Sequence, residues 1–254
     1  MSGAFEGRVA LVTGATRGIG RALALKLGTA GAHVVAVGRT VGALEELDDA
    51  IQAAGGPAAT LVPINLTDFA AIDRLGGALY ERWGRLDALV GNAGILGQLS
   101  PIGHIPPKVW DETIAVNLTA NWRLIRSLDP LLRQSEAGRA VFLTAAQAHS
   151  CEPFWGPLAA SKAGLEALVR TYANEVKHTD VRVNLVDPGA TRSHFRGKAF
   201  PGEDKDSLAH PSTHALPIMA LLTPECLEHG SLIELGPKIA DDGVPPSART
   251  IGIA

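Results

Sequence analysis

Three glycines stand at a spacing that could bind a phosphate, in the segment Thr13-Gly14-Ala15-Thr16-Arg17-Gly18-Ile19-Gly20. A short apolar run ends directly before this segment, and apolar residues at helical spacing follow it. Glycines in this pattern allow a tight turn, a close approach of the backbone to a pyrophosphate, and tight helix–strand packing. The N–H groups at the start of the helix would face the phosphates. The strand–loop–helix context therefore predicts a dinucleotide site.

The residues at the end of the second predicted strand indicate which dinucleotide would bind. NAD sites usually place Asp or Glu there, about 20 residues after the glycines, to hold the ribose 2′-hydroxyl. This chain has Gly38-Arg39-Thr40 instead, with no acidic residue. Arg39 could pair with a 2′-phosphate and Arg17 could add a second cation, although both arginines could also be simply solvated. The pattern favours NADP(H) over NAD(H).

Short apolar runs and helix-period segments alternate along nearly the whole chain and must position these residues. We predict buried strands over residues 9–12, 34–37, 59–64, 88–90, 140–143, 181–186 and 232–235. We predict helices over residues 19–30, 43–53, 69–83, 108–133 and 159–177, where apolar residues recur every three or four positions. This alternation predicts an α/β, Rossmann-like doubly wound parallel sheet of about seven strands with helices on both faces.

One stretch interrupts the alternation. Residues 191–217 are rich in His, Pro, Gly and charged residues, and a short helix is predicted over residues 213–222. Because structured elements resume afterwards, we expect a lid or substrate loop inserted in a single domain, residues 1–254, rather than a linker.

The composition argues against several classes of protein. The 254 residues carry 23 Lys+Arg and 26 Asp+Glu, a net charge of −3, with no long basic run, so we expect no nucleic-acid partner. No apolar stretch approaches the roughly 18 residues of a membrane span, and residues 1–8 lack a signal-peptide pattern. Two isolated cysteines, Cys151 and Cys226, predict neither a disulfide framework nor a CxxC metal site. We therefore expect a cytoplasmic protein without a metal.

Several ordered motifs resemble those of the short-chain dehydrogenase/reductase family over nearly the full chain. Besides the glycine motif, the matches are Asn65-Leu66 for the family's Asp-Val, Gly91-Asn92-Ala93-Gly94 for Asn-Asn-Ala-Gly, Asn117, Ser161-Lys162 for the end of Tyr-x-x-Ser-Lys, and Pro188-Gly189 with Ser193. The resemblance implies a cofactor site formed by Gly14, Thr16, Arg17, Gly18, Ile19, Gly20, Arg39, Asn65, Leu66, Asn92, Ala93, Gly94, Lys162, Pro188, Gly189 and Ser193.

The family's chemistry uses four side chains, and two are missing here. In the family a tyrosine transfers the proton, a lysine four residues later lowers the tyrosine pKa and holds the ribose, a serine binds the carbonyl, and an asparagine holds a relay water. Counting back four from Lys162 reaches Leu158, and 13 more reaches Ala145. The resemblance therefore implies the catalytic positions Asn117, Ala145, Leu158 and Lys162, without the proton donor and the carbonyl-binding hydroxyl.

No shift of the alignment restores the missing groups. The chain's two tyrosines are Tyr80, before the fourth strand, and Tyr172, ten residues past Lys162. Thr144 neighbours Ala145, but adjacent residues at a strand end point to opposite faces. Because a positioned general acid contributes about 10²–10⁴-fold, we expect hydride transfer at the family's usual rate to be lost.

Nearby residues could act as substitutes. His149, in the loop after the fifth strand, could protonate an alkoxide, or it could be a solvated histidine.

Phe154 and Trp155 could form a pocket wall or part of a subunit interface. The later loop carries charged residues that could bind an anionic substrate or the cofactor phosphates, or be solvated: Arg192, His194, Arg196 and Lys198.

Two functions from different classes remain open. The first is an NADP(H)-dependent oxidoreductase acting on a small-molecule carbonyl or alcohol, weak or inactivated by natural divergence or by deliberate substitution. The alternative is a non-catalytic dinucleotide-binding pseudoenzyme used for sensing or assembly. By resemblance, the helices over residues 108–133 and 159–177 would pair to give a homodimer or homotetramer. Substrate identity does not follow from the fold.

Overall fold

A seven-stranded, all-parallel sheet forms the centre of the computed structural model, which describes residues 4–236. The strand order is β3-β2-β1-β4-β5-β6-β7. The strands are β1 (Val9–Thr13), β2 (His33–Gly38), β3 (Thr60–Pro63), β4 (Ala88–Gly91), β5 (Arg139–Leu143), β6 (Arg182–Asp187) and β7 (Leu232–Glu234). All residues of β1, β4 and β5 are buried, as expected for valine-rich strands covered on both faces.

Helices cover both faces of the sheet, which confirms the predicted doubly wound fold. They are α1 (Gly18–Thr29), α2 (Val41–Ala53), α3 (Phe69–Trp83), α4 (Pro107–Ile114), α5 (Ala120–Arg133), α6 (Gln147–Ser150), α7 (Gly156–Val176), α8 (His194–Ala199) and α9 (Ala215–Ala220). Helices α1, α2 and α9 enclose one apolar core with the sheet, and α3, α5 and α7 enclose the other. None of the helices among residues 4–236 is long and apolar enough to span a bilayer.

The predicted helix over residues 108–133 is interrupted. A π-helical turn, Ala115–Thr119, separates α4 from α5. Turns of this kind are frequent at functional sites, and this one contains Asn117. The apolar periodicity continues through the turn, so the sequence pattern shows no break.

Residues 191–217 lie between β6 and β7 and contain short helical elements. They contain α8, two 3₁₀ turns (Lys205–Ser207 and Pro211–His214) and the start of α9. The expectation of a single domain over residues 1–254 extends beyond the described residues at both ends, since residues 1–3 and 237–254 lie outside them.

Candidate active site and cofactor cleft

A cleft of about 1070 Å³ opens at the carboxyl ends of the strands. The strand order reverses between β1 and β4, which is where ligands bind in open parallel sheets. Every predicted cofactor-binding residue except Gly20 lines this cleft. The fold therefore brings together residues that are spread from position 14 to position 193.

The three glycines of the motif are required for different structural reasons. Gly14 and Gly18 adopt φ angles of +65° and +56°, a region that disfavours other residues. A Cβ at Gly20 would overlap the Gly14 carbonyl oxygen and the Asn92 amide nitrogen. Gly20 thus lies behind the cleft surface and permits the close packing of α1 on the loop.

Asn92 holds the glycine loop against the end of β4. Its Nδ2 donates to the Thr13 carbonyl oxygen at 2.8 Å. The Thr13 hydroxyl oxygen in turn accepts from the backbone N–H groups of Asn92, at 3.0 Å, and Ala93, at 3.1 Å. By resemblance, Asn92 corresponds to the second asparagine of the family's Asn-Asn-Ala-Gly motif.

The described residues fit an anionic dinucleotide. Arg17 precedes the first turn of α1 and makes no side-chain capping bond, so the first N–H groups of this 12-residue helix have no side-chain acceptor there. A Cβ at Gly18 would meet nothing within 4 Å, so the backbone is open to a close ligand. Arg17 and Arg39 are exposed and line the cleft, and within residues 4–236 neither has an acidic partner within 4.0 Å.

The remaining predicted contacts form the walls of the cleft. Leu66 is buried and Asn65 is exposed at the end of β3, where an adenine is expected by resemblance. Gly189 follows β6 with φ +66°, and its N–H donates to Asp187 Oδ1 at 2.9 Å. Ser193 caps α8 by accepting from the Arg196 N–H at 3.1 Å.

Gly94 and Lys162 line the cleft, and Asn117 lies behind them without lining it. A Cβ at Gly94 would lie 3.4 Å from Asn117 Oδ1 and 3.6 Å from Lys162 Nζ. The Asn117 amide is fully buried, accepts from the Ile95 N–H at 2.8 Å and donates to the Ile95 carbonyl oxygen at 2.9 Å. The asparagine therefore fixes the chain that follows β4 and sets the position of Gly94.

Lys162 is a buried cation in the lining of the cleft. Its Nζ donates to the Leu143 carbonyl oxygen at 2.7 Å. Burial lowers the pKa of Lys162 to about 8, although the carboxylates of Asp187 and Glu166 act in the opposite direction. An ammonium group bonded to one carbonyl oxygen retains two further donors for a ligand.

Leu158 and Ala145 occupy the positions where the resemblance implies tyrosine and serine. Leu158 is 0% exposed and belongs to an apolar cluster with Leu96 and Trp155. It does not line the cleft, whereas Ala145 does. The position expected to carry the proton donor is thus occupied by a packing side chain.

The two tyrosines lie elsewhere. Tyr172 is buried on α7, and its hydroxyl donates to Asp129 Oδ1 at 2.7 Å. Burial, with this hydrogen bond, raises the Tyr172 pKa, so the phenol stays protonated. Tyr80 is 64% exposed on α3. Neither residue lines the cleft, and neither can donate a proton there.

Glu166, which the sequence reasoning missed, organises the segment after β5. This buried carboxylate accepts from the Thr144 hydroxyl at 2.7 Å and pairs with Arg170 at 3.2 Å. The His149 Nε2 lies 2.9 Å from the same carboxylate. The structure thus does not bring His149 into the cleft. An acidic residue on the apolar face of α7, one turn after Lys162, is the signal that could have identified Glu166.

The charged residues of the loop over 191–217 are partly neutralised. Arg196 forms two 2.6 Å contacts with Glu203, and Arg192 lies 3.1 Å from Asp206. His194 and Lys198 are exposed. Trp155 lines the cleft, as the pocket-wall alternative expects, whereas Phe154 is 56% exposed and does not line it.

A family comparison agrees with this geometry. The model of the short chain dehydrogenases matches residues 8–204. The chain belongs to the short-chain dehydrogenase family. The resemblance found in the motifs is thereby confirmed, and the match includes the glycine loop, Lys162 and the start of the loop over 191–217.

Relatives and solved structures extend the match to nearly all of this short-chain dehydrogenase. The uncharacterized oxidoreductase YciK of Escherichia coli K12 is 34% identical over 207 residues, covering 81% of this chain and 82% of the relative. An uncharacterized NAD-dependent oxidoreductase of Mycobacterium tuberculosis (strain CDC 1551 / Oshkosh) is 34% identical over 199 residues, covering 73% and 72%. A solved structure from E. coli CFT073, complexed with NADPH, has a TM-score of 0.89 and 30% identity, and covers 93% of this chain and 100% of its own.

Proposed function

We propose that this short-chain dehydrogenase binds NADP(H) and, as it stands, transfers hydride to or from a small carbonyl or alcohol weakly or not at all. The observation that carries the proposal is the complete burial of Leu158 beside a cleft that keeps its cofactor-binding residues. A leucine can neither donate nor accept a proton. Ala145 likewise offers no hydroxyl to a substrate carbonyl.

The nicotinamide cofactor, when bound, supplies or accepts the hydride. This chain's own contribution is binding and orientation. The glycine loop and the start of α1 hold the phosphates, and Lys162 offers its two free N–H donors to the cleft. Asn117 fixes the backbone at Ile95 and thereby holds the wall of the cleft in place.

Two unpaired cations support NADP(H) as the preferred cofactor. Arg17 and Arg39 line the cleft where no described acidic residue neutralises them. A phosphate would gain charge-assisted hydrogen bonds from either guanidinium. The similar structure from E. coli CFT073 is complexed with NADPH, which is consistent with this preference. The relative from M. tuberculosis is described as NAD-dependent, so the affinities for NADPH and NADH need to be compared directly.

A non-catalytic dinucleotide-binding pseudoenzyme is the second candidate. The burial of Leu158 in the cluster with Trp155 favours it, because the residue is used for packing.

Exposed Trp110 and Trp122, on α4 and α5, support the proposal that the protein is a homo-oligomer assembled through this helical region. We also propose a cytoplasmic location, which the two free cysteines support.

Cofactor titration with a turnover assay tests the proposal. We expect calorimetry to give a micromolar or tighter dissociation constant for NADPH, and NADPH oxidation with a panel of ketones to stay near background. Absence of NADPH binding would contradict both candidates. Turnover at an ordinary dehydrogenase rate would contradict the assigned role of Leu158.

A further inference from the structure

Aromatic side chains from two distant segments meet on the substrate side of the cleft. Trp155, at the start of α7, and the loop residues Phe195 and Phe200 all line the cleft. The ring centroids of Trp155 and Phe200 are 5.7 Å apart with planes tilted by 37°, a normal aromatic contact. We call these three residues the aromatic subsite.

The surroundings of the aromatic subsite are apolar. Leu96 and Leu158 form one buried cluster with Trp155, and Phe195 and Phe200 pack against that cluster. Leu158 and Trp155 belong to the same buried cluster, so the leucine supports Trp155 with apolar contacts. A tyrosine at position 158 would place a hydroxyl group there instead. A ligand entering here would bury apolar surface and would find few hydrogen-bond partners.

The adjoining arginines do not offer a free charge. Both guanidinium contacts from Arg196 go to Glu203, and the Arg196 Cζ lies 3.8 Å from the centroid of the Phe200 ring. Arg192 pairs with Asp206. His194 and Lys198 also line the cleft, but both side chains are exposed, so a carboxylate that reached them would remain hydrated and would gain little. A carboxylate buried among the three rings would have to break one of the arginine pairs or remain without a partner, and either is unfavourable.

We propose that the aromatic subsite binds a neutral carbonyl compound that carries an aromatic ring. The ring packs against Trp155 and the two phenylalanines, and Phe200 moves with its loop to admit it. The inference rests on the proposed function and deepens it by naming the class of ligand. Its selectivity comes from apolar burial and from the cost of burying a carboxylate among the three rings.

A matched pair of ligands tests the preference. The protein saturated with NADP⁺ is titrated by calorimetry with 2-acetylnaphthalene and, separately, with 6-acetylnaphthalene-2-carboxylate. We expect the neutral ketone to bind at least tenfold more tightly, a difference of about 1.4 kcal/mol. Equal affinity, or tighter binding of the carboxylate, would overturn the proposal.

Variants locate the binding. Trp155→Ala and Phe200→Ala are each expected to weaken the ketone at least tenfold while NADP⁺ affinity stays within about threefold, since each removes a ring wall of the subsite. Because Phe200 is only partly buried, we expect Phe200→Ala to fold normally. This variant therefore still tests the subsite if Trp155→Ala does not fold. Tyr80→Ala is the control, because Tyr80 is 64% exposed and lies outside the cleft lining.

The possible results distinguish a failure of the aromatic subsite from a failure of the proposed function. If NADP⁺ binds and the ketone does not, or if both cleft variants bind the ketone normally, the aromatic subsite is contradicted and the proposed function stands. If NADP⁺ itself does not bind, the proposed function fails and this inference fails with it.

Discussion

Leu158 and Lys162 lie one helical turn apart on α7, yet only Lys162 reaches the cleft. The leucine is fully buried beside Trp155, and the lysine Nζ donates to the Leu143 carbonyl oxygen at 2.7 Å. Residues four apart share a helix face, so the pair would normally act together. Here the cation reaches the cleft and its neighbour belongs to an apolar cluster.

The lowered pKa of Lys162 predicts a pH-dependent stability. Burial lowers this pKa from 10.5 to about 8, so at intermediate pH the unfolded chain holds a proton that the native chain has released. Unfolding then takes up a proton, and native stability rises with pH across that interval. In urea unfolding without cofactor, the free-energy difference between the chain and Lys162→Met should grow in favour of the chain from about pH 8 to pH 10.5.

The exposed Lys177 provides the control for this prediction. Lys177→Met should show a free-energy difference from the unaltered chain that does not vary over the same interval. A pH-independent difference for Lys162→Met would show that the buried ammonium has an ordinary pKa.

Arg39 should determine cofactor choice. It is exposed and lines the cleft without a described acidic partner, so its removal should weaken NADPH more than NADH. A hydrogen bond to a charged group contributes about 1.5–3 kcal/mol, which corresponds to a loss of roughly tenfold to a hundredfold in NADPH affinity for Arg39→Ala. Calorimetry with both cofactors measures this, and Arg82→Ala, an exposed arginine outside the cleft lining, is the control. An equal loss for both cofactors would assign Arg39 no role in recognising the 2′-phosphate.

Gly20 should tolerate no side chain. A Cβ there would overlap the Gly14 carbonyl oxygen and Asn92, so Gly20→Ala must displace the glycine loop. We expect a loss of about 1–3 kcal/mol in the free energy of unfolding, as for other overpacked sites, and loss of NADPH binding. Gly42→Ala, in α2 with open space around it, should be neutral or stabilising by up to about 1 kcal/mol. Normal NADPH binding by Gly20→Ala would contradict the packing described.

His149 should be dispensable for any residual turnover. Its imidazole is 54% exposed and lies against Glu166, outside the cleft lining. His149→Ala should leave the rate of NADPH oxidation within about twofold, far below the 10²-fold or more that a general acid contributes. His178→Ala serves as the comparison, since His178 is also exposed. A selective, tenfold fall for His149→Ala would identify the histidine as the substitute proton donor.

The order of elements and the cofactor end were accessible from sequence because their signals are local. Valine-rich runs and the glycine segment depend on residues that are neighbours in the chain. The contacts of Glu166 are not local, because its carboxylate binds Thr144 and His149, which lie 22 and 17 positions earlier in the sequence. The sequence likewise predicted that Leu158 stands where the family has a tyrosine, but it could not show that Trp155 and a distant loop pack around Leu158. Such features follow from tertiary contacts that no local pattern encodes.

We propose that the absence of a serine at position 145 and a tyrosine at position 158, and not the cofactor site, limits hydride transfer. The most direct measurement compares ketone-dependent NADPH oxidation by the unaltered chain with that of Ala145→Ser combined with Leu158→Tyr, both saturated with NADPH. Ala146→Ser, at the adjoining residue of the cleft lining, is the matched control. We expect a rate at least about 10²-fold higher for the double variant and no gain for the control. A folded, NADPH-saturated double variant that remains inactive would show that these two side chains do not limit turnover, and it would favour the pseudoenzyme.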